Sequence, residues 1–423
     1  MYGYISLLAL GVLFTTIRVN DIVLDRLHFP YSSNEDLHQY DTDPDMIISA
    51  SGYCGSSSSS CAIPVLESHD VRVALIGWAV SDINLGAYAC PRTTCILSKH
   101  TPQNIEYDIL VSSLPPRFRF PLKMSPQTRH VEISLESSVN TLDFISVGYF
   151  MESILYYLLS IPHTNNVDLL VRYQPPEGKR SVQFLPTSYV NEDMDAFVAK
   201  DTEDRHWLDY EFRDPSMSAV ISNCVQRGNN RLDTLNDILR VFSRVHKFGG
   251  CFQDDESQRV VVPPALQQCL SIHRRGAMWD KPKECILKNV MFSYSIENSF
   301  EYGYLTEKLW QPLKMGAIPV ISMKGVPENK KFLPHADAAL IVEDFPSTEE
   351  LAVYMLEVSK NKTLWFKHAM AWRYLPMAEI SNDFKSVVNN SMATLPCRIC
   401  EWWLADTTKD VLPDSGSATD VYT

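Results

Sequence analysis

Charged residues at the start of a predicted helix give the clearest indication of chemistry in this chain. The apolar run Val290–Ile296 predicts a strand that ends at Glu297-Asn298. Thr306 has a side chain typical of a helix N-cap, and it places Lys308 in the first turn of the helix that follows. A helix N-terminus attracts anions, and a lysine there is unfavourable unless an anion is bound. Lys308 therefore indicates either a phosphate-type ligand or a solvated charged turn.

Predicted strands and helices alternate on both sides of this block. Apolar runs predict strands over Val71–Val80, Tyr107–Ser112, Val131–Leu135, Met217–Ile221, Val290–Ile296, Ile318–Ser322 and Ala339–Val342. Helices are predicted over Tyr149–Leu159, Arg231–Val245, Thr306–Met315 and Ser347–Ser359. Such alternation is typical of parallel α/β sheets, and the length of the chain suggests two domains. The predicted fold is two α/β domains that face a cleft, with ligands near the carboxyl ends of the strands.

The composition argues against one class of partner. The chain has 423 residues, of which 21% are charged, and its net charge is −13. Non-specific binding to nucleic acid depends on neutralising phosphates with basic residues, so we expect no nucleic-acid partner. An anionic ligand can still bind where basic residues are gathered locally.

The first residues favour entry into the secretory pathway. Met1–Ile17 contains no charged side chain. It is short for a membrane span and no basic residue precedes it, yet it favours a signal or signal-anchor segment over residues 1–19. Residues 20–70 are rich in Ser, Asp and Pro and predict a flexible stem. The rest divides into α/β domains over 71–205 and 215–402 and a disordered tail over 403–423.

The ten cysteines leave two interpretations open. Their number is even and several are closely spaced. They indicate either buried thiols in a reducing compartment or disulfides in an oxidising lumen. The N-terminal segment favours disulfides, although the pairing cannot be assigned from the sequence.

The block with Lys308 resembles the donor-binding motif of the α1,3-fucosyltransferases, glycosyltransferase family 10. The motif is read here as Ile296-Glu297-Asn298-Ser299, then Tyr304-Leu305-Thr306-Glu307-Lys308, then Ile318-Pro319-Val320. The similarity continues to Glu343-Asp344-Phe345. Ser222-Asn223-Cys224 with Arg231 downstream, and Cys397-Arg398-Ile399-Cys400, are similar to two further segments of the family. The resemblance covers about residues 215 to 402 and is thinner before them.

This resemblance implies a GT-B-like fold with two Rossmann-like domains and GDP-fucose as the donor. Arg231 and Lys308 would neutralise the diphosphate, because arginine suits bidentate phosphate contacts and lysine acts as a point charge. Asn298 and Tyr304 would hold the phosphates or the fucose, and Glu307 the sugar hydroxyls. No metal or other cofactor is expected to be required, with stimulation by Mn²⁺ left open.

The same resemblance also concerns the state of two of the cysteines. Cys397 and Cys400 form a Cys-x-x-Cys pair near the C-terminus. As a zinc site the pair would lack its second half, so both cysteines are expected in disulfides.

The candidate general base lies in the thinner part of the resemblance. Leu135-Glu136-Ser137-Ser138 is similar to the Phe-Glu-Ser-Pro of the family, which follows a strand and supplies the catalytic carboxylate. Two departures weaken this alignment: Ser138 replaces the proline, and an arginine of the family is missing, with His163 nearest to its place. Glu136 is nevertheless the predicted base, against the alternative of a surface glutamate at a strand end.

The predicted function is inverting transfer of L-fucose to a glycan of a glycoprotein, through an α1,3 linkage to GlcNAc. Residues Trp310–Gly316 are similar to animal members thought to fucosylate protein Ser or Thr, so protein O-fucosylation is the first alternative. An inactive glycan- or nucleotide-binding member is the second, because of the departures near Glu136. The expected location is the Golgi membrane with a lumenal catalytic part, and the alternative is the endoplasmic reticulum.

Overall fold

The computed structural model describes residues 47–49, 70–76, 83–99, 107–113, 127–135, 167–173, 183–198, 205–222, 224, 230–252, 264–271 and 280–408. Several predictions concern residues outside these ranges: the segment 1–19, most of the stem, the helix Tyr149–Leu159, Glu136 and His163. No helix in the described ranges is long and apolar enough to span a lipid bilayer.

The first sheet contains eight strands, in the order β1-β3-β4-β2-β5-β6-β7-β8. The strands are β1 (Ile47–Ser49), β2 (Val71–Ile76), β3 (Gly86–Ala89), β4 (Thr94–Lys99), β5 (Ile109–Ser113), β6 (Arg129–Ser134), β7 (Leu169–Arg172) and β8 (Gln183–Pro186). Neighbouring strands are parallel except for the β3–β4 pair, which is antiparallel. The predicted strands near residues 71, 107 and 131 are confirmed. Residues 47–49, which were assigned to the stem, belong to the sheet because they pair with β3.

The second sheet is entirely parallel and has the strand order β10-β9-β11-β12-β13. Its strands are β9 (Asp214–Val220), β10 (Val245–Phe248), β11 (Val290–Tyr294), β12 (Ile318–Ile321) and β13 (Leu340–Ile341). The chain first steps outward from β9 to β10 and then returns to the other side of β9 to form β11. The order therefore reverses between β9 and β11, and parallel sheets bind ligands at such a switch point, beyond the carboxyl ends of the strands.

The helices agree with the predicted alternation, except that the helix predicted over Arg231–Val245 ends at Val241 and a strand begins at Val245. They are α1 (Met194–Val198), α2 (Arg231–Val241), α3 (Pro264–Ser271), α4 (Asp280–Asn289), α5 (Glu307–Met315), α6 (Thr348–Val358), α7 (Lys362–Ala369), α8 (Asn382–Asn389) and α9 (Leu395–Thr408). Thr306 and Ser347 cap α5 and α6, each accepting a backbone N–H bond through its side chain. Two mainly parallel sheets with interleaved helices confirm the predicted α/β class.

Two buried arginines hold the C-terminal end of α5. Arg213 donates to the carbonyl oxygens of Leu287 and Val290, at 3.0 and 2.6 Å, and to that of Met315. Arg373 donates to the last carbonyls of α5 and to the carbonyl of Phe197 in α1. Helix C-termini are negatively polarised, so both guanidinium groups are favourably placed. Phe197 and Arg213 thus supply part of the packing that orients α5.

The C-terminal helix α9 packs against the first sheet, although the sequence placed residues up to 402 in the second domain. Cys397 is bonded to Cys90 and Cys400 to Cys95, with Cα–Cα distances of 5.3 and 5.9 Å. The predicted disulfide state of Cys397 and Cys400 is therefore confirmed, and their partners lie beside and within β4 rather than in the same motif. Because Trp402 and later residues bury against this sheet, the helix continues to Thr408, beyond the predicted start of the tail.

Candidate functional site

Charged side chains gather at the switch point of the second sheet. Arg231 begins α2, which follows β9, and Glu297 and Asn298 follow β11. Strands β9 and β11 are hydrogen-bonded neighbours, so their carboxyl ends bring these segments to one edge of the sheet. Helix α5 also begins here, since Thr306 at its N-cap bonds directly to Glu297. The predicted motif thus lies at the carboxyl edge of a parallel sheet, where such sheets commonly bind ligands.

Three helices each carry a basic residue in the first turn at this edge. Arg231 is the first residue of α2, Lys308 the second of α5, and Lys283 the fourth of α4. Arg231 is 3% exposed, the Lys283 side chain 10% and the Lys308 side chain 22%. Cations are disfavoured at helix N-termini, and buried cations need a charged partner. The arrangement is suited to an anion that carries several negative charges.

Glu297 is the internal partner of Lys308. The Glu297 carboxylate accepts hydrogen bonds from the backbone N–H of Thr306 at 2.7 Å and from its hydroxyl at 2.8 Å. The Lys308 ammonium lies 3.3 Å from the other carboxylate oxygen and donates to the Thr306 hydroxyl at 3.0 Å. Glu297 is itself buried. Its carboxylate therefore compensates the charge of the ammonium and fixes its position beside the helix N-terminus.

Glu307 lies between two ammonium groups. One of its carboxylate oxygens is 3.2 Å from the Lys308 nitrogen and 3.5 Å from the Lys283 nitrogen. Burial alone would raise the pKa of Glu307, but the two lysines and the hydrogen bonds from Thr306 and Lys308 outweigh it and lower the pKa to about 2. Burial alone would likewise lower the pKa of Lys308, and the charges of Glu297 and Glu307 raise it instead. Glu307 and Lys308 therefore both stay charged at neutral pH, whereas burial raises the pKa of Glu297 and the charge of Lys308 opposes that shift.

The low pKa of Glu307 predicts a pH-dependent contribution to stability. Its folded-state pKa of about 2 lies below the unfolded value of 4.5, so the contribution is present above pH 4.5 and is lost as the pH falls towards 2. Because the side chain is 36% exposed, solvent screening limits the expected effect to about 1 kcal/mol. Chemical denaturation of the wild type and Glu307→Gln at several pH values measures this contribution. The difference in free energy of unfolding between the two proteins should become smaller below pH 4.

A control separates this effect from the helix dipole. Glu349 occupies the first turn of α6, is exposed, and forms no ion pair with the described residues. Glu349→Gln should leave the pH dependence of unfolding nearly unchanged. If Glu307→Gln shows the same gap at pH 3 as at pH 7, the lowered pKa of Glu307 is wrong.

Asn298 and Tyr304, both predicted to hold the donor, contact each other. The Tyr304 hydroxyl donates to the side-chain oxygen of Asn298 at 3.1 Å. The Tyr304 ring is buried and lies 5.5 Å, between centroids, from the ring of Tyr173, which follows β7 of the first sheet. Tyr189 approaches the same ring edge-on at 6.4 Å. This aromatic contact links the motif of the second sheet to the first sheet.

The position of Arg231 is set by local backbone geometry. Asn230, before α2, adopts a left-handed conformation with φ of 47°, which asparagine tolerates better than most residues. The buried Tyr294 hydroxyl donates to the carbonyl oxygen of Arg231. Burial lowers the pKa of the Arg231 guanidinium, and the nearby charge of Glu297 opposes that shift. Such a local distortion is typical of a binding segment.

The structure places five of the predicted site residues together: Arg231, Asn298, Tyr304, Glu307 and Lys308. The predicted base, Glu136, lies outside the described residues. Two contributors were missed by sequence reasoning. Glu297 is part of the quoted motif but was assigned no role. Because a helix cap was predicted nine residues later, a contact between Glu297 and that cap could have been suggested. Lys283 gave no signal, since it lies on a separate helix.

Within the described ranges, no three His, Cys, Asp or Glu side chains converge to hold a metal ion. The expectation that no metal is required stays a prediction.

The matches to known proteins fall mainly on the second half of the chain. Residues 211–414 match the model of the glycosyltransferase family 10 (fucosyltransferase) C-terminal domain. GDP-fucose protein O-fucosyltransferase 3 of Xenopus laevis is 28% identical over 178 residues, which are 42% of this chain and 33% of that protein. 4-Galactosyl-N-acetylglucosaminide 3-alpha-L-fucosyltransferase 9 of Mus musculus is 33% identical over 123 residues, which are 28% of this chain and 34% of that protein.

The matched region spans about a third of the length of these curated relatives. Among solved structures, an alpha1,3-fucosyltransferase with GDP-fucose aligns with 81% of this chain and 94% of its own, at 14% identity and a TM-score of 0.45. At that TM-score the alignment assigns no role to any residue.

Proposed function

We propose, since residues 211–414 match the model of the glycosyltransferase family 10 (fucosyltransferase) C-terminal domain, that this protein is an inverting fucosyltransferase with GDP-fucose as its donor. The observation that carries the proposal is the cluster of Arg231, Lys283 and Lys308 in the first turns of three helices at the switch point. The three cations outnumber the two carboxylates beside them, Glu297 and Glu307, and a nucleoside diphosphate would balance the remaining positive charge. Arg231 can make bidentate contacts to it and Lys308 a single charged contact.

The same cations would drive the chemical step. When the bond between the anomeric carbon and the diphosphate breaks, its electron pair passes to the leaving phosphate oxygen. Fixed positive charge at that position stabilises the transition state without reorganisation. GDP can leave without protonation, so the donor side needs cations and no general acid. This matches a site where the cations are held in place before the ligand arrives.

The acceptor side needs one base. In an inverting transfer the acceptor hydroxyl attacks the anomeric carbon from the face opposite the diphosphate and gives up its proton. We propose that the Glu136 carboxylate accepts this proton, because the segment after β6 is similar in sequence to the family segment that supplies the catalytic carboxylate. Strand β6 ends at Ser134, in the first sheet, and Tyr173 of the same sheet reaches the donor motif.

The proposed acceptor is GlcNAc on a glycan of a glycoprotein, through an α1,3 linkage. Transfer to Ser or Thr of a folded protein domain is the second candidate, and the similarity to the Xenopus O-fucosyltransferase favours it. The segment Trp310–Gly316 does not decide between them, because it contacts its own chain. Trp310 is buried and donates to the carbonyl of Leu305 at 2.9 Å, and Lys314 pairs with Glu192.

The third candidate is an inactive protein that binds a glycan or a nucleotide. The complete set of cations with their carboxylate partners argues for turnover. The departures at Ser138 and near His163 concern the acceptor side alone.

We further propose that the protein works in the Golgi lumen, tethered to the membrane through residues 1–19, with the endoplasmic reticulum as the alternative. Four disulfides join described parts of the chain: Cys90–Cys397, Cys95–Cys400, Cys224–Cys251 and Cys269–Cys285. Disulfides persist in oxidising compartments, which supports a lumenal location.

Release of GDP from GDP-fucose by the purified full-length chain tests the proposed function. The reaction is run without acceptor, with GlcNAc-terminated glycans and with folded Ser/Thr-bearing domains, each with EDTA or Mn²⁺. Release that depends on an acceptor and persists in EDTA supports a metal-independent transferase and identifies the acceptor class. Binding of GDP-fucose with no acceptor-dependent release would favour the inactive alternative.

A further inference from the structure

We propose that Lys283 is a positioning residue that holds the Glu307 carboxylate away from full engagement with Lys308, so that Lys308 can take the diphosphate of the donor. The inference deepens the proposed function and rests on it. Lys283 lies outside the matched motif segments and on a different helix from Glu307.

The contacts of one carboxylate oxygen carry the argument. The same oxygen of Glu307 lies 3.5 Å from the Lys283 nitrogen and 3.2 Å from the Lys308 nitrogen. Lys308 has a second partner in Glu297, at 3.3 Å. Positive and negative charges therefore alternate in space, in the order Lys283, Glu307, Lys308, Glu297. With Lys283 removed, Glu307 would have Lys308 as its main cation and would compete with an incoming phosphate for it.

The Lys283 side chain is largely buried, so its ammonium is not an ordinary solvated surface charge. Its side chain is 10% exposed, and lysine is rarely buried unless it is paired. It stands in the first turn of α4, where the helix dipole disfavours a cation. A nearby carboxylate offsets both costs, and Glu307 provides it.

Helix α4 is firmly held, which a positioning role requires. The disulfide Cys269–Cys285 joins α4 to α3 two residues beyond Lys283. Arg213 donates to the carbonyl of Leu287 near the end of α4 and to that of Met315 at the end of α5. The same guanidinium thus fixes α4 and α5 relative to each other, and with them the two lysines.

Three variants of the full-length chain test the proposal with GDP-fucose as substrate. Lys283→Met keeps the aliphatic stem and removes the charge, and it should lower kcat/KM by about 10-fold, mainly through KM. Lys283→Arg should stay within about threefold of the wild type, because it restores a cation beside Glu307. Lys314→Met is the matched control, since Lys314 pairs with Glu192 at the opposite end of α5, and it should change kcat/KM less than about twofold.

A double-mutant cycle separates action through Glu307 from direct contact with the donor. In a Glu307→Gln background, Lys283→Met should have almost no further effect, because the group it positions is already uncharged. Full additivity of the two substitutions would overturn the proposal. So would equal losses in Lys283→Met and Lys283→Arg accompanied by a lowered Tm, because both would then reflect packing.

One arm of the test needs no ligand. The pH at which the stabilising effect of Glu307 is lost should move upward in Lys283→Met, because one of the two ammonium groups that lower its pKa is gone. The shift should be absent when Glu307 is Gln. If the wild type binds neither GDP nor GDP-fucose, the proposed function fails. If the acid shift is absent, the Lys283–Glu307 link fails whatever the ligand results are.

Discussion

Replacing Lys308 with Met is expected to weaken GDP binding by about 10- to 100-fold and to lower turnover of GDP-fucose further, because a charge-assisted contact to the diphosphate is lost. Glu297, Thr306 and Glu307 hold the ammonium in place in the wild type. A methionine at this position offers no charge to the diphosphate. Isothermal titration with GDP and steady-state rates with GDP-fucose measure the two effects.

The fold must be monitored in this experiment. Lys308 compensates the buried Glu297, and removing one member of a buried pair can cost about 3 to 5 kcal/mol of stability. The double variant Lys308→Met with Glu297→Gln removes both charges and should recover much of that stability. It should not recover GDP binding.

The outcomes separate binding from folding. GDP affinity that returns in the double variant would mean that Lys308 acts through the fold and not through the diphosphate. Lys314→Met, at the other end of α5, should bind GDP like the wild type.

Replacing Glu136 with Gln is expected to lower kcat by about 10²- to 10⁴-fold, which is the usual contribution of a general base. Glutamine has nearly the same shape and cannot accept the proton of the acceptor hydroxyl. GDP affinity should change little, because the donor cations lie on the second sheet. Acceptor-dependent GDP release at saturating donor measures kcat.

Glu132→Gln is the control for this substitution. Glu132 lies on β6, the strand that precedes Glu136, and is half-buried. It should lower kcat less than about threefold, as expected for a residue remote from proton transfer. If Glu136→Gln keeps kcat within threefold of the wild type, the base is another group, and the departures at Ser138 and His163 become the place to search.

Local patterns in the sequence were sufficient to predict the strand, cap and helix that carry the donor motif, although β10, α3 and α4 were not predicted. The strand over 290–296, the cap at Thr306 and the helix to Met315 were predicted within two residues of their observed ends. These elements depend on neighbours in sequence: a short apolar run, an N-cap side chain and helix periodicity. The same local pattern predicted that Glu307 and Lys308 lie at a helix N-terminus, and it therefore indicated an anionic ligand.

The partners of those residues depended on contacts between distant parts of the chain. Lys283 reaches Glu307 from another helix, and nothing in the spacing of the two residues implies that they meet. The strand order that sets the switch point between β9 and β11 is likewise a matter of which strands pair, and an apolar strand does not encode its neighbour.

The largest difference between expectation and structure lies at the C-terminus. The resemblance indicated disulfides for Cys397 and Cys400, but a cysteine carries no label for its partner. The partners, Cys90 and Cys95, are about 300 residues away in sequence and become neighbours because α9 buries its apolar face on the first sheet. Residue types alone thus indicated an anion site built on cations, and the resemblance to the fucosyltransferases indicated which donor to expect. The pairing of distant elements, driven by burial of apolar surface, decided which carboxylates hold those cations and which sheet holds the end of the chain.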